Sequence, residues 1–385
     1  MIIKKNNCVL SLVTSQKKVR HGYIVGSVQN DTATTEAVSC LYEEAGRLLC
    51  SMDMDIVQER IFARLCQKEI ILKTRKSAIG NAEEALSNAP FSYLDGHPVC
   101  GGDFAGFILR VAPREKVNII FDGDKPCGKK WLDDNVQHII LQNLNDGEHF
   151  ARAPAREVQV RNMLHRADRI LKGLGGSYQD VVRTWFYLCD ISDWYDKFNA
   201  ARNDVYKEFG LMPSADRKVL ALPSRTGIGA GNDKFLAGTL DLYAIVGPRE
   251  CKPHIEHLTN RGQKNPYEYG SAFSRGTIIT HDRSKSMQLS GTAAIDHRGM
   301  SCFHNNCTQQ IDFTFKKIQE LLTPLGARLK DICAATAFLK NERDINELKG
   351  YLRTHGLEEL PCVFVVADLC RTELLFELDG ELLLQ

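Results

Sequence analysis

The pattern of apolar residues is clearest in the C-terminal third of the chain. Ile311, Phe315, Ile318 and Leu322 recur at three- and four-residue spacing, which predicts an amphipathic helix over residues 311–322. Gly326 follows, and it predicts the helix end because glycine adopts positive φ without steric cost. Continuous apolar runs around this helix predict buried strands. The predicted strands are 276–281, 287–295, 332–339, 363–369 and 373–384, with a second helix over 344–354.

The same arrangement occurs earlier in the chain, at a constant offset of 151 residues. The segment Leu174–Val181 matches Leu325–Ile332, and the offset also pairs Tyr187 with Phe338. Self-similarity at a fixed offset is typical of a duplicated supersecondary unit. In this first copy we predict helices over 160–172 and 194–209, and strands over 181–188, 218–222 and 235–246. Two helices on one face of a mixed sheet give an α/β (α+β) fold built from repeated units.

The N-terminal third is predicted to be a diverged third copy. Residues 38–52 and 54–68 have helical patterns, and 107–111, 117–121 and 136–141 have strand patterns. The expected domains are therefore 1–148, 149–250 and 265–385, with the polar segment 247–265 as a linker.

Length and composition narrow the class of protein. A chain of 385 residues exceeds what one hydrophobic core usually organises, which favours two or three domains. The formal net charge is +1 with no basic block, which argues against nucleic-acid binding. No apolar run approaches the length of a membrane span. The odd count of 13 cysteines, without a tight framework spacing, favours reduced thiols and a cytoplasmic location.

Several motifs, in the same order along residues 150–385, resemble the chorismatase-like branch of the RidA/YjgF superfamily. They are Arg183–Leu188, Tyr195, Phe198 and Asn199 with Arg202, Tyr269 and Gly270, Phe273–Arg275, Ser290–Ile295, Gln310 with Thr314, Ala367–Arg371 and Leu374–Glu377. The resemblance implies RidA/chorismate-mutase-like units around a threefold or pseudo-threefold axis, with clefts between neighbouring units. It also implies that pyruvate is released by hydrolysis of chorismate's enol ether, without metal or nucleotide.

Glu377 is the first candidate for the catalytic residue. Cleavage of an enol ether needs an acid that protonates the terminal methylene carbon, and a carboxyl group in an apolar frame has a raised pKa suited to that role. Leu374–Leu378 supplies such a frame, and the resemblance places the family's catalytic glutamate on this last strand. Asp379 lies on the same face of the strand and is the alternative. A solvent-facing carboxylate at a sheet edge is the competing structural interpretation.

Arginines are the candidate ligands for a substrate carboxylate, because the guanidinium group binds carboxylates through two parallel hydrogen bonds. Arg371 is one candidate. Arg225 is another, since Pro223–Gly227 resembles the carboxylate-binding segment of RidA, with Thr226 and Gly227 offering backbone N–H groups. Arg183, on a buried strand, needs an anionic partner and is either a substrate ligand or a structural ion pair.

Neither copy holds the complete RidA pair of arginine and acid. The middle copy has Arg225 but Thr239–Tyr243 on its last strand, whereas the C-terminal copy has Glu377 but Val363 at the expected arginine position. This favours one composite cleft. The leading hypothesis is a cofactor-independent chorismatase-like enzyme acting on a small anionic carboxylate, as a monomer or homo-oligomer. RidA-type imine hydrolysis and a non-catalytic ligand-binding protein are the alternatives.

No cofactor or metal is expected. Cys302, His304 and Cys307 form a Cys-x-His-x-x-Cys cluster, but a tetrahedral zinc site needs a fourth ligand that the sequence does not offer nearby.

Overall fold

The structure is a computed structural model of the chain. It describes residues 1–5, 7–14, 21–79, 90–99, 102–133, 135–146, 155–212, 221–232, 236–259, 262–281 and 284–384.

The described part of residues 1–113 contains a six-stranded sheet with two helices on its outer face. The helices are α1 (Thr34–Met52) and α2 (Lys68–Ala78). The strands, in spatial order, are β1 (Ile2–Lys5), β2 (Cys8–Thr14), β3 (Gly22–Val28), β7 (Phe104–Pro113), β4 (Met54–Ala63) and β5 (Ser92–Asp95). The apolar stripe of α1 packs on this sheet in a core of its own. We call this part the N-terminal unit.

Residues 117–246 repeat the plan and form the middle unit. The helices are α3 (Arg156–Gly173) and α4 (Ile191–Glu208). The strands, in spatial order, are β12 (Ser224–Gly229), β11 (Val181–Leu188), β13 (Gly238–Val246), β10 (Val136–Leu144), β9 (Lys125–Asp133) and β8 (Val117–Asp122).

Residues 254–384 form the C-terminal unit. The helices are α5 (Cys307–Leu322) and α6 (Ile345–Thr354). The strands, in spatial order, are β14 (His254–Leu258), β15 (Gly276–His281), β16 (Ser284–Ala293), β19 (Phe376–Leu384), β17 (Ile332–Leu339) and β18 (Cys362–Val366). A short strand from the N-terminal part of the chain, β6 (His97–Pro98), extends this sheet beyond β18.

The three sheets turn their inner faces toward one another. One apolar cluster combines side chains from all three units, including Tyr23, Trp185 and Phe338, whereas each helical layer has a separate core. The short parallel strand of each unit packs against the next unit: β5 contacts β10, β12 contacts β16, and β18 contacts β3. The units therefore meet at three junctions in a closed cycle.

Residues that lie 151 positions apart in the sequence occupy equivalent positions in the sheets of the middle and C-terminal units. Trp185 pairs with Asp241 between β11 and β13, and Thr336, which lies 151 residues after Trp185, pairs with Asp379 between β17 and β19. The α+β class and the repeated unit are confirmed. Gly175 and Gly326 both have positive φ, at 84° and 70°, as predicted for residues that end helices.

Three details differ from the expectations. Residues 54–63 form strand β4 rather than a helix; their central polar residues are buried against partners, Glu59 with Arg75 and Arg60 with Glu381. The segment 247–265 is not simply a linker, because it contains β14. The strands of residues 117–144 pair within the middle sheet, although the expected first domain runs to residue 148. The division into domains stays a prediction. The predicted strand 218–222 lies largely outside the described residues.

Candidate active site

A cavity of about 450 Å³ lies at the junction between the middle and C-terminal units. This volume is within the range of small-molecule sites. The middle unit contributes the first turns of α4 and the start of β12. The C-terminal unit contributes β16, the start of β19 and the segments before β15, α5 and β19. The lining side chains used below are Tyr195, Arg225, Tyr269, Phe273, Arg275, Arg371, Glu373 and Glu377.

Glu377 lines this cavity and is only 5% exposed. Burial raises the pKa of its carboxyl to about 7; Arg225 opposes this rise and Asp379 adds to it. Among the described residues, no side chain donates a hydrogen bond to the carboxyl group. A neutral carboxylic acid facing a cavity at near-neutral pH is suited to donating a proton.

Gly291, on the neighbouring strand β16, makes room for this carboxyl group. A Cβ atom at residue 291 would lie 2.0 Å from Oε1 of Glu377. Any side chain there would displace the carboxyl group.

Arg225 approaches the same cavity from the middle unit. Its guanidinium donates to the Tyr195 hydroxyl at 2.5 Å and lies 4.7 Å from the centre of the Phe273 ring. Among the residues that the structure describes, its buried Nε and Nη1 have no hydrogen-bond partner, and no carboxylate forms an ion pair with this residue. An unpaired buried cation is costly. An anionic group that entered the cavity would satisfy this charge.

Two more arginines line the cavity. Arg371 Nη1 donates to the Gly299 carbonyl at 2.9 Å and to Ser301 Oγ at 3.2 Å. Arg275, 1% exposed, donates to the Lys264 carbonyl at 2.9 Å and to the Tyr269 hydroxyl at 3.0 Å. These partners are neutral, so both cations keep their charge available to an anion in the cavity.

The other predicted site residues lie behind the cavity wall. The carboxylate of Asp379 accepts from Arg183 Nη2 at 3.1 Å and from Thr226 Oγ1 at 2.7 Å, and all three side chains are fully or almost fully buried. Burial lowers the pKa of Arg183 to about 10. Gly227 leaves space for the guanidinium group of Arg225, because a Cβ atom at residue 227 would lie 3.1 Å from Nη1 of Arg225. The structure thus brings Arg225, Arg371 and Glu377 together at the cavity, but it places Asp379, Arg183, Thr226 and Gly227 outside its lining.

The arginine–glutamate combination is present at one of the three junctions. By strand register, Cys362 rather than Val363 corresponds to Arg225 in the C-terminal unit. At the junction of the C-terminal and N-terminal units, Cys362 is in the position of the arginine and Gly106 in that of the glutamate. At the junction of the N-terminal and middle units, these positions are occupied by Phe91 and Thr239. The composite cleft therefore combines the arginine of one unit with the acid of the next.

Among the described residues, no group of three or more His, Cys, Asp or Glu side chains is placed to hold a metal ion. In the Cys-x-His-x-x-Cys cluster, a ring nitrogen of His304 lies 2.9 Å from the Ser301 carbonyl and Cys302 contacts the Met300 carbonyl.

A solved chorismatase structure matches with a TM-score of 0.61 at 15% sequence identity, over 85% of this chain and 93% of that protein. The chain has the chorismatase fold. The predicted resemblance to chorismatases is confirmed.

Two curated relatives agree with this chorismatase fold. A chorismatase from Streptomyces rapamycinicus is 23% identical over 53% of this chain, and the match spans 64% of that relative, slightly less than two thirds. A 3-hydroxybenzoate synthase from Streptomyces hygroscopicus is 21% identical over 70% of this chain and 85% of its own length. No protein-family model matches the chain. No helix in the described ranges is both long and apolar enough to cross a membrane.

Some residues that line the cavity are not among the predicted site residues. Arg275 and Tyr195 appear in the matching motifs, but a single sequence does not show that they converge on Arg225 and Glu377. Gly291 was part of the Ser290–Ile295 motif, and its importance depends on the distance to a residue 86 positions away in the sequence.

Proposed function

We propose that the protein is a chorismatase-like enzyme that cleaves the enol ether of chorismate, or of a related enolpyruvyl carboxylate, and releases pyruvate. One observation carries the proposal: a buried glutamate whose pKa is raised to about 7 shares a cavity with three arginines that have no described acidic partner. The chorismatase fold and the names of the curated relatives support the choice of substrate.

The reaction needs a proton at carbon. Glu377 transfers its proton to the terminal methylene carbon of the enolpyruvyl group, whose C=C electron pair forms the new C–H bond. The adjacent carbon becomes an oxocarbenium ion, which the newly ionised Glu377 carboxylate stabilises by charge. Water adds to this carbon and returns a proton to Glu377. The hydroxyl proton of the resulting hemiketal passes to the ether oxygen as the bond between that oxygen and the former methylene-bearing carbon breaks; the ring leaves as an alcohol, and the hydroxyl oxygen becomes the keto oxygen of pyruvate.

The arginines orient the substrate. Arg225 is close enough to Glu377 for its charge to lower the pKa of that carboxyl group, so it is the proposed ligand of the enolpyruvyl carboxylate. Arg275 and Arg371 remain for a second carboxylate, which chorismate carries on its ring. Holding both ends of the substrate places the methylene carbon near Glu377, and such positioning supplies much of the rate enhancement of enzymes.

The test is incubation of the full-length protein with chorismate between about pH 5 and 9, with pyruvate as the measured product. Wild-type protein is expected to release pyruvate, whereas Glu377→Gln is expected to bind chorismate in calorimetry without releasing it. Glu373→Gln, a change in another carboxylate of the cavity lining, is the control that should keep turnover. Folded wild-type protein that releases no pyruvate in this range would contradict the proposal.

The same material tests the alternative reaction of imine hydrolysis. If imines generated from an amino acid were hydrolysed instead, and Arg225→Ala reduced that rate more than Glu377→Gln, the protein would be a RidA-type deaminase. Chorismate binding without turnover of either substrate would identify a ligand-binding protein.

A further inference from the structure

The side chain of Gln310 connects the two segments that form one wall of the cavity. Gln310 lies in the first turn of α5 and is completely buried. Its Oε1 accepts from the backbone N–H of Leu375 at 2.7 Å, two residues before Glu377. Its Nε2 lies 2.9 Å from the carbonyl of Glu373, and 3.2 Å and 3.3 Å from the carbonyls of Cys302 and Phe303.

These contacts use both ends of the amide. The oxygen and one of the nitrogen contacts fix the segment 373–375, which leads directly into β19, and the other nitrogen contacts fix the loop before α5. Glu373 and Arg371 line the cavity, and Arg371 binds the same loop through Gly299 and Ser301. A carboxylate at residue 310 could not donate to the three carbonyls, and an apolar side chain could make none of the contacts.

The repeat provides an internal comparison. Gln159 of α3 lies 151 residues before Gln310, and its Oε1 accepts from the backbone N–H of Ala237 at 2.8 Å. Ala237 precedes Thr239 by two residues, as Leu375 precedes Glu377. The middle and C-terminal units therefore share this glutamine contact as a part of the fold. Of the two strands that it fixes, only β19 of the C-terminal unit carries a carboxyl group that lines the cavity.

We propose that Gln310 is a positioning residue for Glu377: its amide fixes the entry of β19, and so keeps the glutamate carboxyl buried and directed into the cavity. This inference rests on the proposed function for its kinetic consequence, and it has a structural consequence that is independent of turnover. When the entry of β19 loosens, water reaches the carboxyl group and the penalty for its ionisation falls.

The test compares Gln310→Met with Gln159→Met, two substitutions of similar volume that remove the corresponding hydrogen bond from each unit. For Gln310→Met we expect the rate constant kcat for pyruvate release to fall by on the order of tenfold to a hundredfold, with a smaller change in KM. For Gln159→Met we expect kcat within about twofold of wild type, because the strand it fixes lies outside the cavity. Thermal unfolding of both variants shows whether the two losses of stability are comparable.

A second measurement does not require turnover. The infrared carbonyl band of the protonated Glu377 carboxyl, assigned by its absence in Glu377→Gln, is followed as a function of pH. In Gln310→Met the band should disappear at lower pH than in wild type, and in Gln159→Met at the same pH as in wild type. If wild type releases no pyruvate, the proposed function fails while this titration still decides the role of Gln310. Equal effects of both variants on the titration, or an effect of neither, would overturn the inference.

Discussion

Replacement of Glu377 by glutamine should stabilise the folded protein at high pH while it removes the proposed proton donor. Burial raises the pKa of this carboxyl from an ordinary value of 4.5 to about 7. A tenfold difference in proton affinity between the folded and unfolded states corresponds to about 1.4 kcal/mol. The full difference is therefore roughly 3 kcal/mol, which the folded protein loses when Glu377 ionises.

The sign of the change in stability with pH follows from the raised pKa of Glu377. Below the unfolded pKa the group is protonated in both states and has no effect on stability. As the pH rises from 4.5 to about 7, the unfolded chain releases the proton and the folded protein still holds it, so the free energy of unfolding decreases. Glutamine does not ionise. The stability of Glu377→Gln relative to wild type should therefore increase through this window and stay constant above it.

Urea unfolding at a series of pH values, followed by tryptophan fluorescence, measures this difference. Glu373→Gln is the control of opposite sign. Partial burial raises the pKa of Glu373, but hydrogen bonds from its own backbone N–H, Ser301 and Thr372, together with the charge of Arg371, hold that pKa below its ordinary value. Its glutamine variant should lose relative stability as the pH rises. A difference between Glu377→Gln and wild type that does not change with pH would refute the reasoning.

Other predictions concern the cavity wall and the buried ion pair. Gly291→Ala should reduce pyruvate release by on the order of a hundredfold, measured at saturating chorismate, because the new methyl group displaces the Glu377 carboxyl; a variant with wild-type turnover would show that the carboxyl position is unimportant. Arg225→Met should raise KM for chorismate while leaving stability in urea unchanged or higher, since this buried cation has no described acidic partner. Arg183→Met should instead lower the free energy of unfolding by roughly 1–3 kcal/mol, because the buried Asp379 carboxylate loses its shorter arginine contact and keeps only the one at 3.9 Å to Arg60; equal stability of the two arginine variants would contradict this distinction.

Much of the fold was predictable because its apolar pattern is local. The spacing of Ile311, Phe315, Ile318 and Leu322 defines the buried face of α5, and the strands 181–188 and 332–339 have the predicted bounds. The wrong assignment of residues 54–63 has a physical cause that a single sequence hides. Polar residues inside a strand interrupt its apolar run, and their ionic partners, such as Arg75 and Glu381, come from other parts of the chain.

The candidate site, like the fold, was predictable from the sequence only in part. Glu377 and Arg225 could be selected from their local motifs, and the absence of a complete pair in either copy pointed to a composite cleft. The difference between Glu377 and Asp379 could not be predicted, because both lie on one face of β19. Asp379 is paired with Arg183 and Thr226 of the middle unit, whereas Glu377 faces the cavity. That distinction depends on contacts between units rather than on local sequence.

The most direct test of the central claim is the pH dependence of kcat/KM for pyruvate release from chorismate. The account predicts a rate that is constant at low pH and falls tenfold for each further pH unit above about 7, as Glu377 loses its proton in the free enzyme. Glu377→Gln should show no measurable release at any pH. A rate in the wild-type protein that is unchanged across this range, or a Glu377→Gln variant that retains it, would show that another group supplies the proton.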